Sequence, residues 1–270
     1  MTGGASGLGR AMAHRLAFDG WRVAVADIDR EAAERTRAEF AGDAMALSLD
    51  VRSEDDWMTA VAQVDRSWGG IDLLVNSAGI ATSGTVEQSP IEQWNWVLDI
   101  NLLGTVRGCR AVVPGMKARR SGYLANIASF AGIANPPSMA SYNAAKAAVI
   151  SLSETLRQEL SSDGIGVSVA CPAFIKTPLM ETSRRLAPNR PAATGAVLPE
   201  ARMEGIVRYL METSGVTAED FAEDLYAAIR SGRFLAIVHR DARWRARVKR
   251  WAPELFFREV RRTTAKFLKR

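Results

Sequence analysis

The chain holds 270 residues with a formal net charge of +5, a hydrophobic share of 47% and two cysteines. That hydrophobic share supports a buried core, and so few cysteines exclude a disulfide framework. No stretch reaches the roughly 18 apolar residues a membrane span requires, so one cytoplasmic α/β domain is expected, with no nucleic-acid recognition motif in the chain.

The segment TGGASGLG, residues 2–9, leads into an expected helix over 8–19. Glycines 3, 7 and 9 let backbone approach a ligand closely, and the helix start beyond them offers unpaired N–H groups to a phosphate. An ordinary glycine-rich turn would look the same. WRVAVAD reads as a buried strand over 21–26 that ends in Asp27. Asp27 lies eighteen residues past Gly9, near the offset of about 20 at which a carboxylate meets an adenosine ribose. A helix N-cap is its alternative role, for which Asp29 is better placed.

Patterning then predicts helix 30–40, strand 45–49, helix 53–68, strand 71–76, helix 90–115, strand 122–128 and helix 140–162. Strand 165–171, an irregular stretch 174–216, helix 217–231 and strand 233–238 follow. Strands alternating with long helices build βαβ units and a parallel sheet. Helix 90–115 carries Trp94, Trp96, Leu98 and Leu102 on more than one face, which calls for cover beyond its own sheet. Pro178, Pro188, Pro191 and Pro199 interrupt the irregular stretch. Its Phe174, Leu179, Met180, Leu186, Val197, Leu198, Met203 and Tyr209, with Phe130, Ile133 and Met139, suit a bulky apolar substrate or plain lid packing equally well.

Tyr142 and Lys146 lie four residues apart, with Ser129 thirteen upstream of the tyrosine. On a helix that spacing brings tyrosine and lysine onto one face. A free phenol has a pKa of roughly 10; a neighbouring cation should lower it and make Tyr142 a general acid/base, with no metal required. Ser129 can hold a substrate oxygen.

Residues 240–270 carry twelve basic side chains against three acidic, a net of +9, which leaves about −4 for residues 1–239. Trp244, Val248, Trp251 and Leu255 follow helical spacing for an apolar stripe, and Pro253 either breaks it or starts a second helix with Phe256, Phe257 and Val260. Such an extension can pack on its own body or a sister subunit, or meet an anionic membrane surface or an acidic carrier protein. So many large apolar groups favour packing.

With these pieces together, the chain resembles the short-chain dehydrogenase/reductase family from residue 2 to about 239. The resemblance is carried by TGGASGLG, Asp50 in LSLDV, NSAG at 76–79, Asn101 in LDINLLG, Ser129, YNAAK, and CPAFIKT at 171–177. It implies a Rossmann-like doubly wound parallel sheet in a three-layer αβα arrangement, with a substrate lid over 174–216. It also implies an NAD(P)-dependent oxidoreductase acting on an alcohol or ketone, assembled as a homodimer or homotetramer. The implied catalytic residues are Asn101, Ser129, Tyr142 and Lys146, with Asn101 binding a water that links Lys146 to solvent. The implied cofactor set is Gly3, Ser6, Gly7, Leu8, Gly9, Asp27, Asp50, Val51, Asn76, Ala78, Gly79, Tyr142, Lys146, Pro172, Ile175 and Thr177. Asp27 would accept from a ribose hydroxyl and repel a 2′-phosphate, which favours NAD over NADP, although Arg30 offers NADP partial relief. A cofactor-binding redox sensor or scaffold without turnover is the alternative, against which the intact quartet speaks.

Three departures stand out. Ser77 replaces a second asparagine, and Ala173 replaces a glycine, tolerable if φ stays negative. The central strand that relatives place before the glycine loop is missing, so the true chain is expected to begin upstream, unless another segment fills the gap.

Overall fold

The computed structural model describes residues 1–186 and 200–269. Its strands are β1 (Val23–Asp27), β2 (Ala44–Ser48), β3 (Leu73–Asn76), β4 (Gly122–Ile127), β5 (Ile165–Ala170) and β6 (Leu235–Ala236). All their pairings are parallel, in the orders β2-β1 and β3-β4-β5-β6. Helices α1 (Gly7–Phe18), α2 (Arg30–Ala38), α3 (Glu54–Trp68), α4 (Ile91–Leu98), α5 (Gly104–Arg119), α6 (Ala131–Ala134) and α7 (Ala140–Glu159) connect them. Then come α8 (Leu179–Leu186), α9 (Glu200–Thr213), α10 (Ala218–Ser231), α11 (Arg240–Trp251) and α12 (Pro253–Lys269).

Successive strand residues point to opposite faces, and the core follows that alternation. Val75 and Ala125 join Met12, Leu16, Phe221 and Leu225 of α1 and α10 on one face. Leu74 and Leu124 join Trp57, Val112, Met116 and Leu156 of α3, α5 and α7 on the other. The sheet is therefore doubly wound, as expected. Helix starts are set by local chemistry. Asp29 caps α2 by accepting from Ala32 N–H at 3.0 Å, Ser53 caps α3, and Thr217 with Asp220 forms a capping box on α10.

The two strand groups meet across the position of the strand that the sequence lacks. Met1 and Thr2 bridge them: Ala26 N–H donates to Met1 O at 2.9 Å, and Thr2 N–H donates to Val75 O at 3.0 Å. Beside this two-residue bridge a slot of about 120 Å³ runs between β1 and β3, lined by Trp21, Leu47, Trp57, Val64 and Leu74 among others. The expected loss of ladder partners is thus partly relieved by Met1 and Thr2.

Several expectations need correction. The helix foreseen over 90–115 is α4 and α5 joined by a π-helical turn, Asp99–Leu103. The stretch foreseen as irregular contains α8 and α9. Its prolines drew attention from helical spacing that places Leu179, Ser183 and Leu186 on one face, with Ser183 buried. Pro188, Pro191, Val197, Leu198 and Pro199 lie outside the described residues, as does the side chain of Met203. Tyr209 is 55% exposed and is not among the described residues that line the cleft of about 260 Å³. Ala173 keeps a negative φ.

The extension forms two helices, and Pro253 opens the second. Ala242 and Phe256 are buried, yet Trp244 and Trp251 are 65% and 81% exposed. The extension thus packs on its own body through Ala242 and Phe256, while the tryptophans of the stripe stay exposed in the single chain. Small alanines on the opposite side of α11 fit closer to the body than indoles do, so the stripe turns outward.

Candidate active site

A cleft of about 260 Å³ opens at the carboxyl ends of the strands, where the winding reverses between β1 and β3. It is lined by Gly3, Ser6, Gly7, Leu8, Gly9, Asp27, Asp50, Val51, Ala78, Gly79, Ser129, Tyr142, Lys146, Pro172, Ile175 and Thr177. Residues from seven separate sequence motifs thus converge on one hollow.

The glycine loop is shaped for close backbone approach. A Cβ on Gly9 would sit 2.0 Å from the Gly3 carbonyl oxygen, and Gly3 and Gly7 hold φ of +59° and +51°. Ser6 precedes α1 without capping it through its side chain, so the first-turn N–H groups remain open to an anion. Thr2 Oγ1 accepts from Ser77 N–H and Ala78 N–H at 3.0 and 3.1 Å, which locks the loop to the 77–79 segment. Asp27 stands at the end of β1, accepting from Ala5 N–H and Asp29 N–H, both at 3.1 Å. Burial pushes its carboxyl above the ordinary value, against those hydrogen bonds. This cradle and its carboxylate fit a dinucleotide's pyrophosphate and ribose.

Ser129, Tyr142 and Lys146 gather at the other end. Tyr142 and Ser129 both line the cleft, and Ser129 Oγ accepts from Ala131 N–H at 3.1 Å. Lys146 Nζ donates to Ile127 O at 2.9 Å and lies 5.9 Å from the Tyr142 ring centroid. Burial brings the lysine down to about 8. It pushes the Tyr142 phenol up, and Ser129 supplies the opposing interaction. The depression of the phenol expected from Lys146 is therefore not seen. Desolvation outweighs a lysine whose own charge burial disfavours and whose ammonium is turned to a backbone carbonyl.

Two expected residues stand outside the cleft lining. Asn76 faces inward from β3, where its Nδ2 donates to Asn126 Oδ1 at 2.9 Å and approaches Cys109 Sγ at 3.6 Å. It ties β3 to β4 rather than touching the hollow. Asn101 sits in the π-helical turn, its amide committed to Ile80: Nδ2 donates to the carbonyl and Oδ1 accepts from N–H, each at 2.8 Å. It still borders the trio, because a Cβ on Gly79 would lie 3.1 Å from Asn101 Oδ1 and 3.5 Å from Lys146 Nζ.

Other residues were not legible from spacing. Arg52 grips Asp50 at 2.6 Å, so this carboxylate of the implied cofactor set already has a cation. Arg185 reaches from α8 to Asp29 at 3.2 Å across the cleft rim. Leu179 and Leu186, foreseen for a substrate pocket, do line the apolar wall, and Trp96, Ile100 and Met211 join them. His239 precedes α11 and holds the loop after Pro172: its Nδ1 accepts from Ala173 N–H at 3.4 Å, and its Nε2 lies 3.2 Å from Phe174 O. The first contact places the ring proton on Nε2, which donates to the carbonyl.

Comparison with known proteins agrees with this geometry. A family model described as short chain dehydrogenase matches residues 1–187. A 3-alpha-(or 20-beta)-hydroxysteroid dehydrogenase of Mycobacterium bovis is 32% identical over 245 residues, 89% of this chain and 90% of the relative. A CLA biosynthesis dehydrogenase/reductase of Lactiplantibacillus plantarum is 30% identical over 248 residues, covering 88% and 86%. Among solved structures, a short chain dehydrogenase/reductase from Burkholderia phymatum in complex with NAD superposes with a TM-score of 0.88 at 30% identity, covering 94% of this chain and 93% of that one. The chain belongs to the short-chain dehydrogenase/reductase family. It is a nicotinamide-dependent oxidoreductase that transfers a hydride between its cofactor and an alcohol/carbonyl substrate.

Proposed function

We propose that Tyr142 exchanges a proton with the substrate oxygen at the apolar end of the cleft, while Ser129 holds that oxygen. The carrying observation is the convergence of buried Ser129, Tyr142 and Lys146 on the one cleft that the glycine loop also lines. Because Ser129 Oγ already accepts from Ala131 N–H, its own proton is free to donate to a substrate oxygen. Substrate that bridges the two hydroxyls is set in reacting position before any proton moves. The nicotinamide cofactor supplies the hydride donor or acceptor. Gly3, Gly7 and Gly9 hold its pyrophosphate and Asp27 its adenosine ribose, which favours NAD over NADP; Arg30 turns to Glu34 at 3.7 Å rather than toward the cleft. Asn101 shapes the wall at Gly79, and the π-helical turn around it leaves backbone carbonyls available for a water serving Lys146.

The wall of Trp96, Ile100, Leu179, Leu186 and Met211 favours a bulky apolar alcohol or ketone. A turnover screen across alcohols and ketones with both cofactors tests this reading. A protein that binds cofactor but turns over none of them would be the sensor or scaffold instead.

Residues 1–239 form the catalytic unit, with the lid over 174–216. The helix face bearing half-buried Trp94, Leu98 and Leu102, with Ile91 65% exposed beside them, is the surface through which copies of the chain assemble, while Trp96 turns to the cleft. A monomer mass by light scattering at micromolar concentration overturns the homo-oligomer. The protein works in the cytoplasm, and its basic extension 240–270 docks an anionic partner, a membrane surface or an acidic carrier.

A further inference from the structure

We infer that the outer face of α11 is a docking surface for an anionic lipid bilayer. This rests on the reading of 240–270 as an anion-docking element and names its partner. At about 100° per residue, Arg240, Arg243, Trp244, Arg247, Arg250 and Trp251 fall within one arc of roughly 120°, and all six are exposed. The opposite arc seats the helix. Ala242 is 1% exposed against Phe130, Cys171 and Ile237, and Lys249 Nζ turns inward to the Ile133 carbonyl. Arg245 is paired with Glu259 at 3.1 Å. The helix thus turns Ala242 and Lys249 to the body and Arg245 to α12, and leaves four arginines and two indoles exposed. Among the described residues no carboxylate pairs with those four arginines. Leu255, 57% exposed at the start of α12, extends the apolar part of the face.

Charge and shape select the occupant. A second copy docking isologously would set these arginines against their own counterparts. An anionic partner is required. A bilayer suits this face best because the indoles stand about two turns apart on one side of a convex helix rather than around a groove. Tryptophan rings settle at the headgroup boundary, and arginine stems lie along the apolar layer with their guanidinium groups among phosphates. The binding is peripheral, since no helix among the described residues is long and apolar enough to cross a membrane.

The full chain is tested by co-sedimentation with vesicles of phosphatidylcholine alone and of phosphatidylcholine containing phosphatidylglycerol. Binding is expected to the anionic vesicles only and to weaken with salt. R243Q/R247Q/R250Q is expected to lower the affinity at least ~100-fold, and W244S/W251S to weaken it while leaving salt dependence in place. Both variants should keep the melting temperature and the turnover of a water-soluble alcohol. Absence of binding to anionic vesicles, or arginine-variant binding equal to wild type, overturns the inference. A soluble polyglutamate probe separates it from the broader reading. If the chain binds polyglutamate and not vesicles, an acidic protein is the partner and the lipid inference falls; if it binds neither, both readings fall. Loss of oligomer mass in W244S/W251S assigns the face to a sister subunit and also overturns it.

Discussion

Replacing Tyr142 by Phe removes one oxygen from a side chain that is 8% exposed. The structural cost is small because Ser129 is not orphaned: its Oγ still accepts from Ala131 N–H at 3.1 Å. Any polar contact of the hydroxyl that is lost is worth about 1 kcal/mol net, and the desolvation of a buried hydroxyl is relieved at the same time. Folding stability should therefore stay within about 1 kcal/mol of wild type. The kinetic cost is different in kind, because the phenol is the group assigned to proton exchange. A positioned acid or base contributes at least ~100-fold, or about 2.7 kcal/mol of barrier. The assay follows NADH appearance at saturating cofactor, with cofactor affinity measured separately by fluorescence titration. Turnover down by ~100-fold or more, with cofactor affinity within about threefold, is the expected pattern. Turnover within tenfold of wild type would falsify the assignment of Tyr142. Loss of turnover accompanied by a collapsed melting temperature would refute the claim that the variant is structurally mild.

Gly9→Ala places a methyl group 2.0 Å from the Gly3 carbonyl oxygen; because that neighbour is backbone, the loop must shift, and cofactor affinity should fall at least ~10-fold in titration calorimetry. A competitive titration of the two cofactors is expected to show tighter binding of NAD, and Asp27→Ser to narrow the gap; tighter NADP binding in wild type sinks the role given to Asp27. Lys146 has a folded pKa lowered to about 8 against an unfolded value of roughly 10.4, so the unfolded chain holds more protons between those values. Stability contributed by this group should rise as pH climbs through that window and level off above it. Urea unfolding of wild type should show that increment relative to Lys146→Met, and parallel pH profiles for the two would refute it. Lys146→Met should also lower both turnover and cofactor affinity.

Much of this protein is determined locally and is therefore readable from the chain. The alternation of apolar strands with amphipathic helices places β1 through β5 within a few residues, because side-chain period follows backbone geometry. The glycine spacing, the four-residue step from Tyr142 to Lys146 and the cap at Asp29 are equally local, and they point to the cleft before any packing is known. The tertiary structure alone decided what depends on neighbours distant in sequence. Asn76 reads like a cleft residue yet bonds Asn126, fifty positions away. Arg185 meets Asp29 across 156 positions, and His239 meets Ala173 across 66. Whether a lysine lowers its tyrosine's pKa depends on desolvation, which spacing does not report: burial raised the phenol and drove the lysine down together. The same limit explains the extension. Helical periodicity found its tryptophan stripe, but which side of α11 faces the body was settled by the close fit of Ala242 against Phe130 and Cys171, a contact between residues more than seventy positions apart.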